Sequence, residues 1–243
     1  MNTATDHYSR LLAPIYLWMA GGPQSALSSG TADLSAAGIT PSSGTTAIDL
    51  GCGFGMHAIP LARLGYAVTA IDSSPILLAA LRQIAEGLEI RAVECDLLEF
   101  TAHLEASPAL ILCMGDTLTH LSNPVDVDNL CSMVTGSLTP GGKFVTTFRD
   151  YTRPASGNAR FITVRSDAER IHTCFLEEES DHIRVHDIVH ERRDENWLMR
   201  VSSYPKLKLS PDLVARHFES HGLRVAKTQG PRGMVQIIAV KSS

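Results

Sequence analysis

The groups best suited to hold a small ligand lie within a short stretch of this chain. Ala47-Ile48-Asp49-Leu50-Gly51-Cys52-Gly53-Phe54-Gly55-Met56-His57 passes from apolar residues into a glycine-rich turn, and Ala70-Ile71-Asp72 ends a second apolar run 21 residues after Gly51. A carboxylate at the tip of a second parallel strand accepts hydrogen bonds from both hydroxyls of an adenosine ribose. Glycines remove side chains and permit positive φ, so the backbone can run against a ligand. Asp49, just before the turn, adds a negative group suited to a cationic ligand end. Farther on, Asp116 and His120 in Met114-Gly115-Asp116-Thr117-Leu118-Thr119-His120-Leu121 could position a reactant or take its proton. Arg149 is placed to grip an anion.

The spacing narrows the ligand. Dinucleotide sites use G-x-G-x-x-G or a final Ala, whereas Met56 stands where that third small residue belongs. No Lys-Ser or Lys-Thr follows the glycines, so the G-x-x-x-x-G-K-[ST] phosphate loop is missing. A nucleoside cofactor without a pyrophosphate fits better.

On these residues the chain resembles the class I S-adenosylmethionine-dependent methyltransferases. Their first motif, acid-x-G-x-G-x-G, is matched by Asp49-Leu50-Gly51-Cys52-Gly53-Phe54-Gly55. Their ribose acid matches Asp72, and their adenine-binding acid matches Asp96 in Val93-Glu94-Cys95-Asp96-Leu97. Their Pro-Gly-Gly turn matches Pro140-Gly141-Gly142. A narrower resemblance joins residues 114–121 and Arg149-Asp150-Tyr151 to glycine N-methyltransferase-like enzymes. It implies that Met114 and His120 touch the methionyl part of the cofactor and Arg149 the acceptor. The chain departs at Asp116, where that group has Asn, which adds a negative charge near the acceptor.

The resemblance implies S-adenosylmethionine as cofactor, S-adenosylhomocysteine as product, and no metal. Tyr8, Asp49, Gly51, Cys52, Gly53, Gly55, Asp72, Ser73, Asp96, Leu97, Met114, Gly115 and His120 are the expected cofactor residues. Asp116 and His120 are the catalytic candidates, with His120 open between cofactor lining and base. Asp116, Arg149 and Tyr204 are the acceptor candidates, and Lys206 stands close to them in sequence. The implied reaction moves a methyl group to an amine or hydroxyl of a small molecule. Two rivals are a cofactor-binding regulator or partner subunit without catalysis and a NAD-dependent oxidoreductase, the latter opposed by the glycine spacing.

Composition agrees. The 243 residues are 44% hydrophobic, enough for one sizeable domain. A net charge of −5 disfavours a nucleic-acid partner. Five widely spaced cysteines without C-x-x-C read as free thiols, and no leader pattern or apolar run of about 18 residues occurs, so a cytoplasmic monomer or homodimer off the membrane is expected. His182, His186 and His190 invite a metal reading. Ile183, Val185 and Val189 alternate with them as in a strand, and Arg184 and Arg192 share the histidine face, so a polar strip is expected instead.

These residues need elements to carry them. Residues 1–40 are expected as a helical lid, with Tyr8, Tyr16 and Trp18 on its first helix and a break at Pro14. Residues 41–150 alternate strands with helices near 55–64, 75–86 and 124–137, and a kink is expected at Pro60. Residues 151–205 hold three extended segments, about 160–177, 182–191 and 196–205, read as an antiparallel meander over the acceptor site. Residues 206–243 complete the sheet with a helix capped by Ser210 and strands at 223–229 and 234–241. The fold class is α/β: a doubly wound, mostly parallel seven-stranded Rossmann-like sheet with an inserted antiparallel meander.

Overall fold

A strand that is apolar on both sides needs cover on both faces. Strand β1 (Thr46–Leu50) buries its last four residues and β4 (Leu110–Cys113) buries all four. In the computed structural model, which describes residues 7–153 and 155–242, both lie in the middle of a seven-stranded sheet. Their neighbours are β2 (Ala67–Asp72), β3 (Ile90–Glu94), β5 (Lys143–Phe148), β10 (Leu223–Gln229) and β11 (Val235–Lys241), in the order β10-β11-β5-β4-β1-β2-β3. Only β11 runs antiparallel to the β5 it joins, and β10 returns beside it. The order reverses between β1 and β4, so a crevice must form outside their carboxyl ends. The expected doubly wound sheet is therefore observed. Residues 1–6, part of the expected lid, lie outside the described residues.

Helices cover both faces: α1 (Tyr16–Met19), α2 (Pro23–Ala36), α3 (Ala58–Arg63), α4 (Pro75–Ile84), α5 (Pro124–Ser137) and α6 (Pro211–Ser220). Four of them carry Pro at the first position, where its missing N–H costs nothing. Ser74 caps α4 by accepting from Leu77 N at 3.4 Å, and Asn123 caps α5 through Asp126 N at 3.0 Å. Ser210 stands at the cap of α6 as expected but makes no side-chain cap bond. The kink expected at Pro60 does not form. Helix α3 starts only at Ala58, so Pro60 falls in its first turn, where no intrahelical partner is required.

The insertion is a four-stranded antiparallel sheet: β6 (Phe161–Ser166), β7 (Arg170–Glu178), β8 (His182–Arg193) and β9 (Asn196–Leu207). Residues 160–177, expected as one segment, break into β6 and β7. Asp167 causes the break, because its carboxylate accepts from the N–H groups of Glu169 and Arg170, both at 2.8 Å, and turns the chain. The inner face of this sheet buries Ile183, Val185 and Val189. Leu11, Leu12 and Ile15 of the amino-terminal segment pack there. That segment is irregular: a π-helical stretch at Tyr8–Leu12, a 3-10 turn at Ala13–Ile15 holding Pro14, then α1.

Gly30 on α2 faces the carbonyl of Met56. A Cβ there would stand 1.8 Å from that oxygen, so the helix seats against the glycine turn only without a side chain. Gly30→Ala is expected to destabilise the fold by about 1–3 kcal/mol through overpacking. Thermal unfolding checks this as a fall of several degrees, and an unchanged midpoint would show that α2 is not seated on the turn.

Candidate active site

The crevice outside β1, β2 and β4 encloses a cavity of about 250 Å³. Its floor is the turn after β1. Gly51 has φ +70°, and a Cβ on it would come within 2.4 Å of Thr117, so glycine lets the turn meet the loop after β4. The N–H groups of Gly51 and Cys52 both donate to Ile71 O, at 2.8 and 2.9 Å. Asp72 completes the closure. Its two carboxylate oxygens accept from Gly53 N and Ser74 N, each at 2.8 Å. Each oxygen keeps room for one more donor, which matches a pair of vicinal hydroxyls. Burial pushes the Asp72 carboxyl up, and the two N–H bonds oppose the shift.

Of the expected cofactor residues, Tyr8, Gly51, Cys52, Gly53, Asp72, Ser73, Asp96, Leu97, Met114, Gly115 and His120 border this cavity. Asp49 and Gly55 are not among the residues that line it. Gly55 packs against Ile59 and Leu81 behind the turn, where a Cβ would approach both to about 3.0–3.1 Å. Asp49 is buried, its Oδ2 has no partner among the described residues, and desolvation pushes its carboxyl up to about 6. Asp96 accepts from Leu98 N at 2.8 Å while facing the cavity. His57, set aside on the sequence as a packing residue, borders the cavity while its Nε2 pairs with Asp33 Oδ2 at 3.1 Å. The wall also includes Tyr16, one of the first-helix aromatics that could cover a cofactor, and Phe54, Met56, Thr117 and Asp126, which the sequence does not mark for it. The only sequence signal for Asp126 was Asn123-Pro124, which starts α5 and sets Asp126 in its first turn.

The cavity's charged residues share one sign. Asp72, Asp96 and Asp126 line it, and no Lys or Arg does among the described residues. A phosphate-bearing ligand would meet three carboxylates and no compensating cation. A cationic nucleoside suits the wall.

His120 lies between two phenols. Its ring stacks on Tyr204 at 5.3 Å with 5° between planes, and Tyr8 meets its face edge-on at 5.5 Å. Desolvation, reinforced by the Lys206 cation, pushes the imidazole down to about 3. The ring stays neutral at pH 7 and is a weak proton acceptor, which counts against the base role and leaves it as wall. Tyr204 sits behind His120 and, like Asp116 and Arg149, does not line the cavity.

Asp116 has another employment. It is left-handed at φ 76°, a conformation Asp and Asn tolerate. Its carboxylate accepts from the Tyr151 hydroxyl and from Arg149 N, both at 2.9 Å, and pairs with the buried Lys206 ammonium. Burial opposes its charge most strongly, but Lys206, the Arg149 N–H and His120 together hold the carboxyl below its usual range. Burial likewise opposes the Lys206 charge, while Asp116 and Tyr151 carry the ammonium above its usual value. The negative charge expected near the acceptor is therefore neutralised inside the protein. Arg149 contributes its main-chain N–H here. Lys206 and Tyr151 complete a structural hub joining β9 to the core.

The histidine strip behaves as expected of a polar face. On the half-buried outer face of β8, His182 pairs with Glu179 and Asp181 of the preceding turn and His186 with Glu177 of β7. Trp18 donates its Nε1–H to Asp167 and lies under Arg165 and Arg170.

Residues 47–142 match the family model described as a methyltransferase domain. The chain is 35% identical over 112 residues to a ubiquinone biosynthesis O-methyltransferase of Caulobacter vibrioides, an alignment covering 45% of this chain and 43% of that protein. The match thus spans less than half of that curated relative. Among solved structures, DesVI of Streptomyces venezuelae superposes with TM-score 0.79 at 16% identity, covering 95% of this chain and 98% of that one. CalS10 of Micromonospora echinaspora, an amino pentose methyltransferase solved with S-adenosylmethionine bound, superposes with TM-score 0.76 at 16% identity, covering 94% and 96%. Residues 47–142 are thus similar to a methyltransferase domain, and the chain has the fold of these methyltransferase structures.

Removing one member of a buried ion pair leaves an uncompensated charge. Lys206→Met is expected to destabilise the protein by about 3–5 kcal/mol at pH 7. Without its cation, Asp116 is governed by burial, so its folded-state pKa rises above the unfolded one. The loss must then shrink as pH falls and the carboxyl takes a proton. Asp116→Asn with Lys206→Met should recover much of it. Denaturant unfolding between pH 5 and 8 checks both, and a loss independent of pH would argue against the pair.

Proposed function

We propose that this protein is an S-adenosylmethionine-dependent methyltransferase that methylates an amine or hydroxyl of a small molecule. The observation that carries the reading is the cavity wall of glycine turn, ribose-type carboxylate and further acids, with no basic side chain among the described residues. The match of residues 47–142 to a methyltransferase domain supports it. The similar proteins include an O-methyltransferase and an amino pentose methyltransferase, which agrees with a small-molecule acceptor.

The residues fit the cofactor. Asp72 would take the two ribose hydroxyls, Asp96 and Leu97 would border the adenine, and Gly53, with no Cβ, would let the backbone lie against the ligand. Asp49, with an unpartnered buried oxygen behind the turn, adds negative potential toward the amino-acid end. Bound S-adenosylmethionine supplies a methyl group on a sulfonium sulfur, open to in-line displacement.

The protein's own task is to position and to exclude water. Reacting atoms need to stand about 3–3.5 Å apart and aligned. Tyr8, Tyr16, Phe54 and His120 line the cavity as a connected run of rings, Tyr8 meeting His120 at 5.5 Å and Tyr16 at 6.0 Å, and Tyr16 meeting Phe54 at 5.8 Å. That wall keeps solvent from a reactive sulfonium. With His120 neutral and a weak acceptor, the nucleophile is best served by arriving unprotonated or by releasing its proton to solvent. The reading includes a cytoplasmic monomer or homodimer; the net charge of −5 favours a partner other than nucleic acid, and among the described residues no helix is long and apolar enough to cross a membrane.

Calorimetry should show S-adenosylhomocysteine binding with Kd in the range of about 1–100 µM, Asp72→Ala abolishing it, and NAD failing to compete. Equal affinity in the Asp72 variant would sink the assignment. A screen with methyl-labelled cofactor and small amines, amino acids and phenols would then identify the acceptor.

A further inference from the structure

Away from the cofactor cavity, the inner face of the inserted sheet holds a buried polar cluster that the proposed reaction does not use. His172 and Cys174 stand two residues apart on β7 and so share a face. Asp187 on β8 lies directly opposite Cys174 in the strand register, and Ser202 on β9 lies directly opposite Asp187. His172 Nε2, Cys174 Sγ and one Asp187 oxygen all lie within 4.8 Å of one another. His7 reaches across from the amino-terminal segment, its Nε2 on Asp187 Oδ2 at 2.8 Å and its Nδ1 on Ser202 Oγ at 2.7 Å. His7, His172 and Asp187 are buried and Cys174 is half-buried.

We propose that His172, Cys174 and Asp187 form a three-ligand site for a borderline-soft divalent cation of the Zn²⁺ class, with His7 bracing the carboxylate from behind. Imidazole, thiolate and carboxylate together are the donor set that such an ion takes. The charges close: a divalent cation, one thiolate and one carboxylate sum to zero beside neutral imidazoles. Without the ion, hydrogen bonds from His7, His172 and Cys174 offset the burial of Asp187 and hold its carboxyl below the usual range, so the carboxylate is already ionised for a cation.

The geometry is near at hand. Zinc–nitrogen and zinc–sulfur bonds of about 2.0–2.3 Å place tetrahedral ligands roughly 3.3–3.6 Å apart. Sγ and Nε2 already stand 3.8 Å apart. Asp187 Oδ1, now at 2.6 Å from Nε2 and 2.8 Å from Sγ, must withdraw by less than about 1 Å to admit the ion. His172 Nδ1 makes no hydrogen bond among the described residues, so turning that ring gives up only the Nε2 bond to Asp187 that the ion would replace. The bond from His7 to the second carboxylate oxygen is the outer support that ligating carboxylates characteristically receive. Lys206, the nearest buried cation acting on Cys174, is already neutralised by Asp116. The ion would fasten the segment carrying Tyr8 to the inserted sheet. The spacing of His182, His186 and His190 is visible in the sequence, whereas this cluster depends on strand register, which is not.

The test uses the full chain, stripped with a chelator and titrated with Co²⁺. One ion per chain should bind with a thiolate-to-cobalt charge-transfer band, and Zn²⁺ should displace it. Zn²⁺ should also raise the thermal midpoint of the stripped protein. Cys174→Ser retains a hydroxyl donor for Asp187, so a merely hydrogen-bonded cluster tolerates it. In that variant the band should vanish and Zn²⁺ affinity should fall at least tenfold. Overturning results are Co²⁺ uptake without the band, uptake equal in Cys174→Ser (binding by surface histidines), or no uptake. S-adenosylhomocysteine calorimetry on the same samples reads the methyltransferase proposal separately.

Discussion

The site depends on how closely the turn after β1 can approach the tip of β2, and Asp72 sets that distance. Its two oxygens take N–H groups from opposite sides, one from the glycine turn and one from the start of α4. Those N–H groups would otherwise be left unpaired at the ends of a turn and a helix. The same carboxylate therefore satisfies the backbone and presents its remaining lone pairs to the cavity. Everything around it serves this closeness. Gly51 admits Thr117 from one side, and Gly30 admits the Met56 carbonyl from another. Asp33 on α2 then holds His57, after the turn, and Arg232, before β11.

The inserted sheet is held by a different rule. A sheet edge covered by aromatic side chains would be indifferent to register unless polar groups fixed it. Two buried carboxylates do so here. Asp116 ties β9 to the loop after β4 through Lys206, and Asp187 ties the amino-terminal segment to β7 and β8. Each sits among apolar rings, so each demands its partners at short range. Between them lie Tyr204 and His120, stacked and without charge. The acidic cavity is thus separated from Lys206, the one buried ammonium among the described residues, by a layer of neutral rings.

What could be seen in the sequence follows from range. Asp49 to Gly55, Asp72 and Pro140-Gly141-Gly142 announce themselves because each turn needs its residues side by side. The alternation over β8 was equally plain, because one face is buried for its whole length. The Asp167 turn was hidden inside a run that alternates on both sides of it. Pro60 misled because the glycine turn uses more residues than expected, so α3 starts late. The pairs that organise the inserted sheet were out of reach: Lys206 and Asp116 are 90 positions apart, and His7 and Asp187 are 180 apart. Gly30 gave no sign at all, since a glycine within a helix shows its purpose only when the opposing backbone is known. Asp116 was noticed for its charge, yet its backbone conformation is what the loop requires of it.

The late start of α3 bears on ligand choice. In a dinucleotide site the helix begins at the glycines, so its first N–H groups and its dipole meet a pyrophosphate. Here residues 51–57 form turns before a helix of six residues, and the N–H of Ile59 is spent on Gly55 O at 3.0 Å. The positive end of the helix is thereby drawn back from the cavity. Three carboxylates line the space in front of it, with no side-chain cation to offset them among the described residues. Both effects work in one direction: they remove what would hold an anion and leave a field that favours positive charge. The departure at Met56 from the dinucleotide glycine pattern and the acidity of the wall are therefore one electrostatic property, expressed once in the backbone and once in the side chains.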